Sequence, residues 1–254
     1  MANRRVLITG GGSGIGYALA RRFEAEGARV AICDASADAV AETARAHPGM
    51  IAETVDVRDE AQMTAFLDRV ETEWDGIDVV CANAGTGGPA GRIEDLDYQE
   101  WQDCVGVNLF GTFLTCRWAA RVMRAQGEGL VLITTSTSGL WGHPYRSPYA
   151  AAKWGLVGLT KTLAMELGPA GVRVNAIAPG AVEGDRMERV LRKESEASGK
   201  SVDELRADYV ACTSLRSWVS ADDLADMALF LASPAAAKIS GQVMAVDGHT
   251  ESIN

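Results

Sequence analysis

The sequence predicts an α/β fold, a doubly wound, seven-stranded parallel sheet with helices on both faces. Short apolar runs alternate with longer amphipathic stretches along the whole chain, which is the signature of βαβ units. Several of those runs are continuously apolar rather than alternating, as strands covered on both faces require. A glycine-rich turn follows the first run and leads into a helical stretch.

The first strand is expected over Arg5–Thr9. The turn after it reads Thr9-Gly10-Gly11-Gly12-Ser13-Gly14-Ile15-Gly16 and opens a helix over Gly14–Glu26, with Gly27 placed for a left-handed end. Glycines allow positive φ and let a pyrophosphate approach the backbone. The helix N-terminus adds free N–H groups and partial positive charge. The second strand, Arg29–Cys33, ends at Asp34. An acid there accepts hydrogen bonds from the ribose hydroxyls of an adenosine and repels a 2′-phosphate, which favours NAD over NADP; a simple turn aspartate is the plainer alternative.

The remaining helices are expected over Ala37–Ala46, Glu60–Glu73, Tyr98–Ala125, Tyr149–Leu167 and Ala221–Ala232. The remaining strands are expected over Met50–Val55, Val79–Ala82, Leu130–Thr134, Arg173–Ile177 and Gln242–Val246. Asp59, Ser147 and Ser220 stand where helix N-caps belong, and Ser220-Ala-Asp-Asp has the form of a capping box. Gly168 stands where a helix would end. The helices at 98–125 and 149–167 carry many small and apolar positions, suited to burial against the sheet and against another subunit. Residues 1–254 read as one domain. The charge-rich stretch 183–216 interrupts the rhythm, either as a solvated helical excursion or as a mobile lid over a substrate.

Composition narrows the function classes. Hydrophobic residues make up 47% and charged residues 23% of the 254 residues, an ordinary globular balance. Lys and Arg number 24 against 34 Asp and Glu, a net charge of −10. That argues against nucleic acid and anionic membranes as partners. The five cysteines lack C-x-x-C spacing and the three histidines form no ligand motif, so no metal is expected. Cys33 and Cys81 read as inert buried thiols. Neither a leader segment nor a membrane-length apolar run is apparent, and a cytoplasmic location is expected.

With these pieces placed, the chain resembles the short-chain dehydrogenase/reductase family, a Rossmann-fold family, over nearly its whole length. The resemblance rests on the spacing of Gly10, Gly14 and Gly16, the pair Asp56-Val57, Asn83-Ala84-Gly85, Asn108 within VNLFGTF, Ser136, Tyr149-Ala-Ala-Ala-Lys153, and Pro179-Gly180 after the sixth strand. It implies a dinucleotide held by Gly10, Ser13, Gly14, Ile15, Gly16 and Asp34. Asp56 and Val57 would meet the adenine, Asn83, Ala84 and Gly85 the centre, and Tyr149, Lys153, Pro179 and Gly180 the nicotinamide side. Two positions depart from the family pattern. Gly184 stands where a carboxamide-binding threonine is common, which shifts that contact to backbone near Val182. Asp247-Gly248-His249 replaces a terminal D-G-G, so the tail is open to a different packing.

Tyr149 and Lys153 are four residues apart and share a helix face. A free tyrosine, with a pKa of about 10, is a poor base at neutral pH. A neighbouring ammonium favours the phenolate, so Tyr149 can take a proton from an alcohol or return one to a carbonyl. The resemblance implies that Ser136 holds the same oxygen, that Lys153 grips the nicotinamide ribose, and that Asn108 positions a water between Lys153 and solvent. The substrate pocket is expected between Ser138–Tyr145 and the 183–216 stretch, with Ser138, Trp141, His143, Tyr145, Arg146 and Arg186 as candidate walls. His143 reads first as a surface loop histidine. Arg146, Arg186 and Arg189 suit either an anionic substrate or plain solvation.

The expected activity is NAD-dependent hydride transfer to or from the carbon of a secondary alcohol or ketone: a small alcohol, a polyol or a hydroxy acid. A 3-oxoacyl thioester (acyl-carrier-protein) reductase shares every one of these motifs. A dinucleotide-binding redox sensor without turnover, and a methyltransferase with its own glycine-rich turn, stand as alternatives of other classes. The resemblance further implies a homotetramer.

Overall fold

The computed structural model describes residues 2–250. Seven strands run β1 (Arg5–Thr9), β2 (Arg29–Asp34), β3 (Ile51–Thr54), β4 (Val79–Ala82), β5 (Gly129–Thr134), β6 (Val172–Pro179) and β7 (Val243–Val246). They form one sheet in the order β3-β2-β1-β4-β5-β6-β7, with every neighbouring pair parallel. The helices α1 (Gly14–Ala25), α2 (Ala37–Ala46), α3 (Glu60–Trp74), α4 (Tyr98–Val105), α5 (Gly111–Gln126), α6 (Ser147–Leu167), α7 (Asp185–Ser198), α8 (Val202–Ala211) and α9 (Ala221–Ala232) connect or cover them.

Two apolar cores explain the continuous strand runs. In β1, Leu7 packs with α3, α5 and α6 on one face, while Val6 and Ile8 pack with α1 and α9 on the other. In the central strands β1, β4, β5 and β6 most residues are buried whichever way they point, so alternation has no purpose there. Cys33, Cys81 and Cys116 lie in these layers, and burial pushes their thiols up to about 12, as suits inert packing groups. Among the described residues, no helix is long and apolar enough to cross a membrane.

Three local expectations are corrected. The helix expected over Tyr98–Ala125 is interrupted: α4 passes through a wider π turn at Gly106–Phe110 before α5. Gly106 and Gly111 bracket that turn, and Gly111 lies so close to Val57 that a Cβ there would sit 2.6 Å from its Cγ2. Ser147 does not cap α6; it is the first helical residue, and its Oγ is buried without a partner. Pro148 follows at the second helical position, where it has no N–H to satisfy. Gly168 keeps a right-handed φ of −52° because the chain continues through a tight turn over Gly168–Ala170, and Gly171 takes the left-handed φ of +76°.

Asp59 and Ser220 cap α3 and α9 as expected. At α9 the box is complete: Asp223 N–H donates to Ser220 Oγ (3.2 Å) and Ser220 N–H to Asp223 Oδ2 (2.8 Å). Ser220→Ala should cost about 1 kcal/mol, read as a lower melting temperature with dinucleotide affinity unchanged. The 183–216 stretch holds α7 and α8. The Asp247-Gly248-His249 turn docks on its end, with Ser214 N–H donating to His249 O (3.0 Å) and Leu215 N–H to Gly248 O (3.1 Å).

Candidate active site

The winding of the sheet reverses between β1 and β4, because β2 and β3 lie to one side of β1 and all later strands to the other. The connections diverge there and leave a crevice at the carboxyl ends of the strands. A cleft of about 710 Å³ occupies it, lined on one side by the glycine turn and on the other by Ser136, Tyr149 and Lys153.

The glycine turn owes its path to close packing. Gly10 has φ +64°, and a Cβ on it would lie 2.8 Å from Ala84 Cα. A Cβ on Gly16 would run into the Gly10 carbonyl oxygen. Asn83 fastens this corner: its Nδ2 donates to Thr9 O and Gly10 O (both 3.2 Å), and its Oδ1 accepts from Thr134 Oγ1 (3.1 Å). Thr9 Oγ1 accepts from the N–H groups of Asn83 and Ala84 (both 3.1 Å), a fastening role no sequence signal identifies. The carboxylate of Asp34 accepts from Gly12 N–H and Ser36 N–H (both 3.0 Å) and faces the cleft. Asp56 and Val57 line the same end, and the Arg58 guanidinium holds the Asp56 carboxyl below the usual carboxylate range. An open helix N-terminus beside a backbone with no room for Cβ atoms suits a pyrophosphate.

At the other end, α6 places Tyr149 and Lys153 on one buried face; Lys153 is 2% exposed. Its Nζ donates to Thr134 O (2.8 Å), and Thr135 Oγ1 donates to Lys153 O (2.8 Å), so the end of β5 orients the ammonium. Ser136 follows in extended backbone, and its hydroxyl favours the ionised phenol. Burial pushes the Tyr149 phenol up, but the charges of Lys153, Arg186 and Arg146, with the Ser136 hydrogen bond, overcome it and bring it down to about 8. Burial also draws Lys153 down to about 8, against the opposing pull of the phenol.

Asn108 is fully buried in the π turn. Its Nδ2 donates to Cys104 O (2.8 Å) and Thr86 O (3.0 Å), while its Oδ1 has no partner. That oxygen points toward Gly85, where Lys153 Nζ also converges: from a Cβ built on Gly85 they would be 2.8 and 3.5 Å away. A buried acceptor left open beside an ammonium fits a bridging water. π turns occur at functional sites because they re-aim single side chains.

Of the residues expected to bind cofactor, all from Gly10 to Val182 line the cleft, as do Ser138, His143, Arg146 and Arg186. Trp141 does not: it lies outside the cleft, and its carbonyl accepts from Trp154 Nε1 (3.4 Å). Tyr145 is also outside it; its φ of +63° reverses the chain and turns Arg146 inward. His143 is corrected from a surface position, since its side chain is only 7% exposed. It is drawn in by Ser138 Oγ, 2.7 Å from Nδ1, and by Tyr209 OH, 3.2 Å from Nε2. Two cleft-side residues escaped the sequence reading. Glu194 and Tyr209 lie in charge-rich helices whose pattern reads as solvated, yet they meet over the site, with Tyr209 OH donating to Glu194 Oε2 at 2.9 Å.

Comparison with known proteins agrees with this geometry. A family model described as enoyl-(acyl carrier protein) reductase matches residues 10–249. Levodione reductase of Leifsonia aquatica is 36% identical, over 97% of this chain and 93% of its own. The crystal structure of levodione reductase superposes with a TM-score of 0.90 at 34% identity, over 98% of this chain and 97% of that one. The chain belongs to the short-chain dehydrogenase/reductase family. Other family members show the range of substrates. cis-4-Hydroxycyclohexanecarboxylate dehydrogenase of Sinomonas cyclohexanicum is 35% identical over 97% of this chain and 96% of its own. The NADH complex of 3-ketoacyl-(acyl-carrier-protein) reductase from Brucella melitensis has a TM-score of 0.86 at 30% identity, covering 97% and 98% of the two chains. As a short-chain dehydrogenase/reductase, this protein is an oxidoreductase of CH–OH groups that uses a nicotinamide cofactor.

Proposed function

We propose that this short-chain dehydrogenase/reductase uses NAD to oxidise the carbinol carbon of a small secondary alcohol, polyol or hydroxy acid, with Tyr149 as the general base. The observation that carries the reading is the buried phenol, brought to about 8 beside Lys153 and opposite the glycine cradle. Its phenolate removes the hydroxyl proton. Ser136 donates to the same oxygen and fixes its position. Lys153 stabilises the phenolate and holds the ribose next to the reacting centre. Asn108 Oδ1 anchors a water through which the proton taken up by Tyr149 passes, by way of Lys153, to solvent. A bound nicotinamide supplies the hydride acceptor or donor. Val182 supports the carboxamide end. It bridges to Val219 through the flanking groups, with Glu183 N–H donating to Val219 O (2.9 Å) and Val219 N–H to Ala181 O (3.0 Å). The peptide N–H of Val182 is thereby left to face a ligand.

The preference for NAD rests on Asp34, whose carboxylate lines the cleft at the end of β2 and would be forced against a 2′-phosphate. Asp34→Asn should lower the ratio of NAD to NADP affinity by about tenfold, a loss of roughly 1.4 kcal/mol of discrimination. Titration of cofactor fluorescence with NADH and NADPH checks it, and an unchanged ratio would remove the basis for the preference. A homotetramer follows the same reading, supported by apolar residues left exposed on these two elements: Phe110 and Phe113 on α5 and the turn before it, and Trp154 and Met165 on α6. The deciding experiment is NADH formation over a panel of diols, sugar acids and alicyclic hydroxy acids, with reduction of an acetoacetyl thioester as the contrasting arm. Turnover of the thioester alone would replace this reading.

A further inference from the structure

Glu194, on α7, is 5% exposed, and so is Arg146, just before α6. Their side chains pair at 2.8 Å between Arg146 Nη1 and Glu194 Oε1. Tyr209 of α8 donates to both carboxylate oxygens (3.1 and 2.9 Å), and His143 Nε2 lies 3.4 Å from Oε1. Burial works against the ionised carboxyl, but His143 and Arg146 hold it below the usual range. A buried pair of this kind contributes little stability over apolar residues of the same volume, so its position is the informative feature. Arg146 Nη2 donates to Gly87 O (3.1 Å), and its guanidinium carbon lies 4.6 Å from the centroid of the Tyr149 ring. One partner of the pair thus lies over the reacting phenol, while the other belongs to the helical excursion across the cleft.

We propose that Glu194 is a positioning residue: ion-paired with Arg146, it holds that guanidinium over the Tyr149 ring and tempers the positive charge the phenol meets. The inference rests on the reading of Tyr149 as the proton-transferring group. Arg146 is the only member of the phenol's cationic surroundings with a carboxylate partner among the described residues: Lys153 is bound to a carbonyl, and Arg186 of α7 has no ion pair. The other titratable groups near the phenol are Tyr209 of α8, which is half-buried and held well above its ordinary range, and Cys104 of α4, which acts through Lys153. His143 completes the set behind Glu194. Glu194 therefore reaches Tyr149 through Arg146 rather than directly, and the seating of α7 sets how much of that cation is neutralised.

The test titrates the phenol itself through its near-ultraviolet phenolate band, in the full-length protein without dinucleotide. Each protein is compared with the same protein carrying Tyr149→Phe, so that the difference isolates this tyrosine. Glu194→Gln keeps an oxygen for its partners but removes the negative charge, leaving Arg146 uncompensated over the ring. The midpoint should fall by about half a pH unit or more. Arg146→Met removes the cation and should raise it by a similar amount. Because that change strands a buried carboxylate, the double variant Arg146→Met/Glu194→Gln keeps the test valid, and it should show the same upward shift. Midpoints unmoved in Glu194→Gln and in the double variant would overturn the role of Glu194. Loss of turnover in Tyr149→Phe together with unmoved midpoints would leave the reading of Tyr149 intact, whereas retained turnover in Tyr149→Phe would overturn that reading itself.

Discussion

Replacing Tyr149 by Phe is expected to lower kcat by about a thousandfold, within the range general acid–base catalysis supplies, while NADH still binds. The ring keeps its place under Arg146 and beside Lys153, so only the proton-transferring oxygen is lost. The intact protein should show the matching pH dependence. With the phenol brought to about 8, alcohol oxidation needs the phenolate and should rise with pH through that region to a plateau. Ketone reduction needs the protonated phenol and should fall over the same range. Profiles of kcat/KM in both directions check the sign. Profiles rising together would assign the titration to another group.

The second large effect is expected at Gly16. A side chain there would collide with the Gly10 carbonyl oxygen and crowd Asn83 Nδ2, where a Cβ would lie 2.7 Å away. Gly16→Val should therefore displace the turn and weaken dinucleotide binding by about a hundredfold, since overpacking of a rigid site costs roughly 1–3 kcal/mol. The fluorescence titration of NADH reads the loss, and circular dichroism confirms that the sheet persists. Wild-type affinity in this variant would show that the turn does not approach the cofactor.

The candidate catalytic end of the site was legible because the groups proposed for its chemistry are placed by local spacing. Tyr149 and Lys153 share a face by helical periodicity alone, and Ser136 lies just beyond a strand end. The glycine turn was legible for the same reason, since only residues without Cβ atoms fit its corner. The continuous apolar strands announced a sheet covered on both faces, and the α1 and α9 layer and the α3, α5 and α6 layer meet that expectation. The π turn at Asn108 was not legible. Its wider winding follows from contacts with Thr86 and Val57, which are distant in sequence. Ser147 failed as a cap because the helix already begins at Ser147, with Arg146 in the cap position, one residue earlier than the polar pattern suggests.

The far side of the cleft divides the same way. Arg146 and His143 were visible as candidates, but Glu194 and Tyr209 look like ordinary surface residues of charged helices. Their meaning comes from the fold, which lays α7 and α8 across the crevice so that a carboxylate and a phenol meet groups 48 and 66 positions away in the chain. By itself the sequence determined the sheet, the glycine turn and the placing of Ser136, Tyr149 and Lys153 as candidates, because each is set by periodicity or by contacts within a few residues. Only the tertiary structure decided which charges are buried, which are paired and which face the phenol, because desolvation and Coulomb attraction depend on distance in space rather than along the chain.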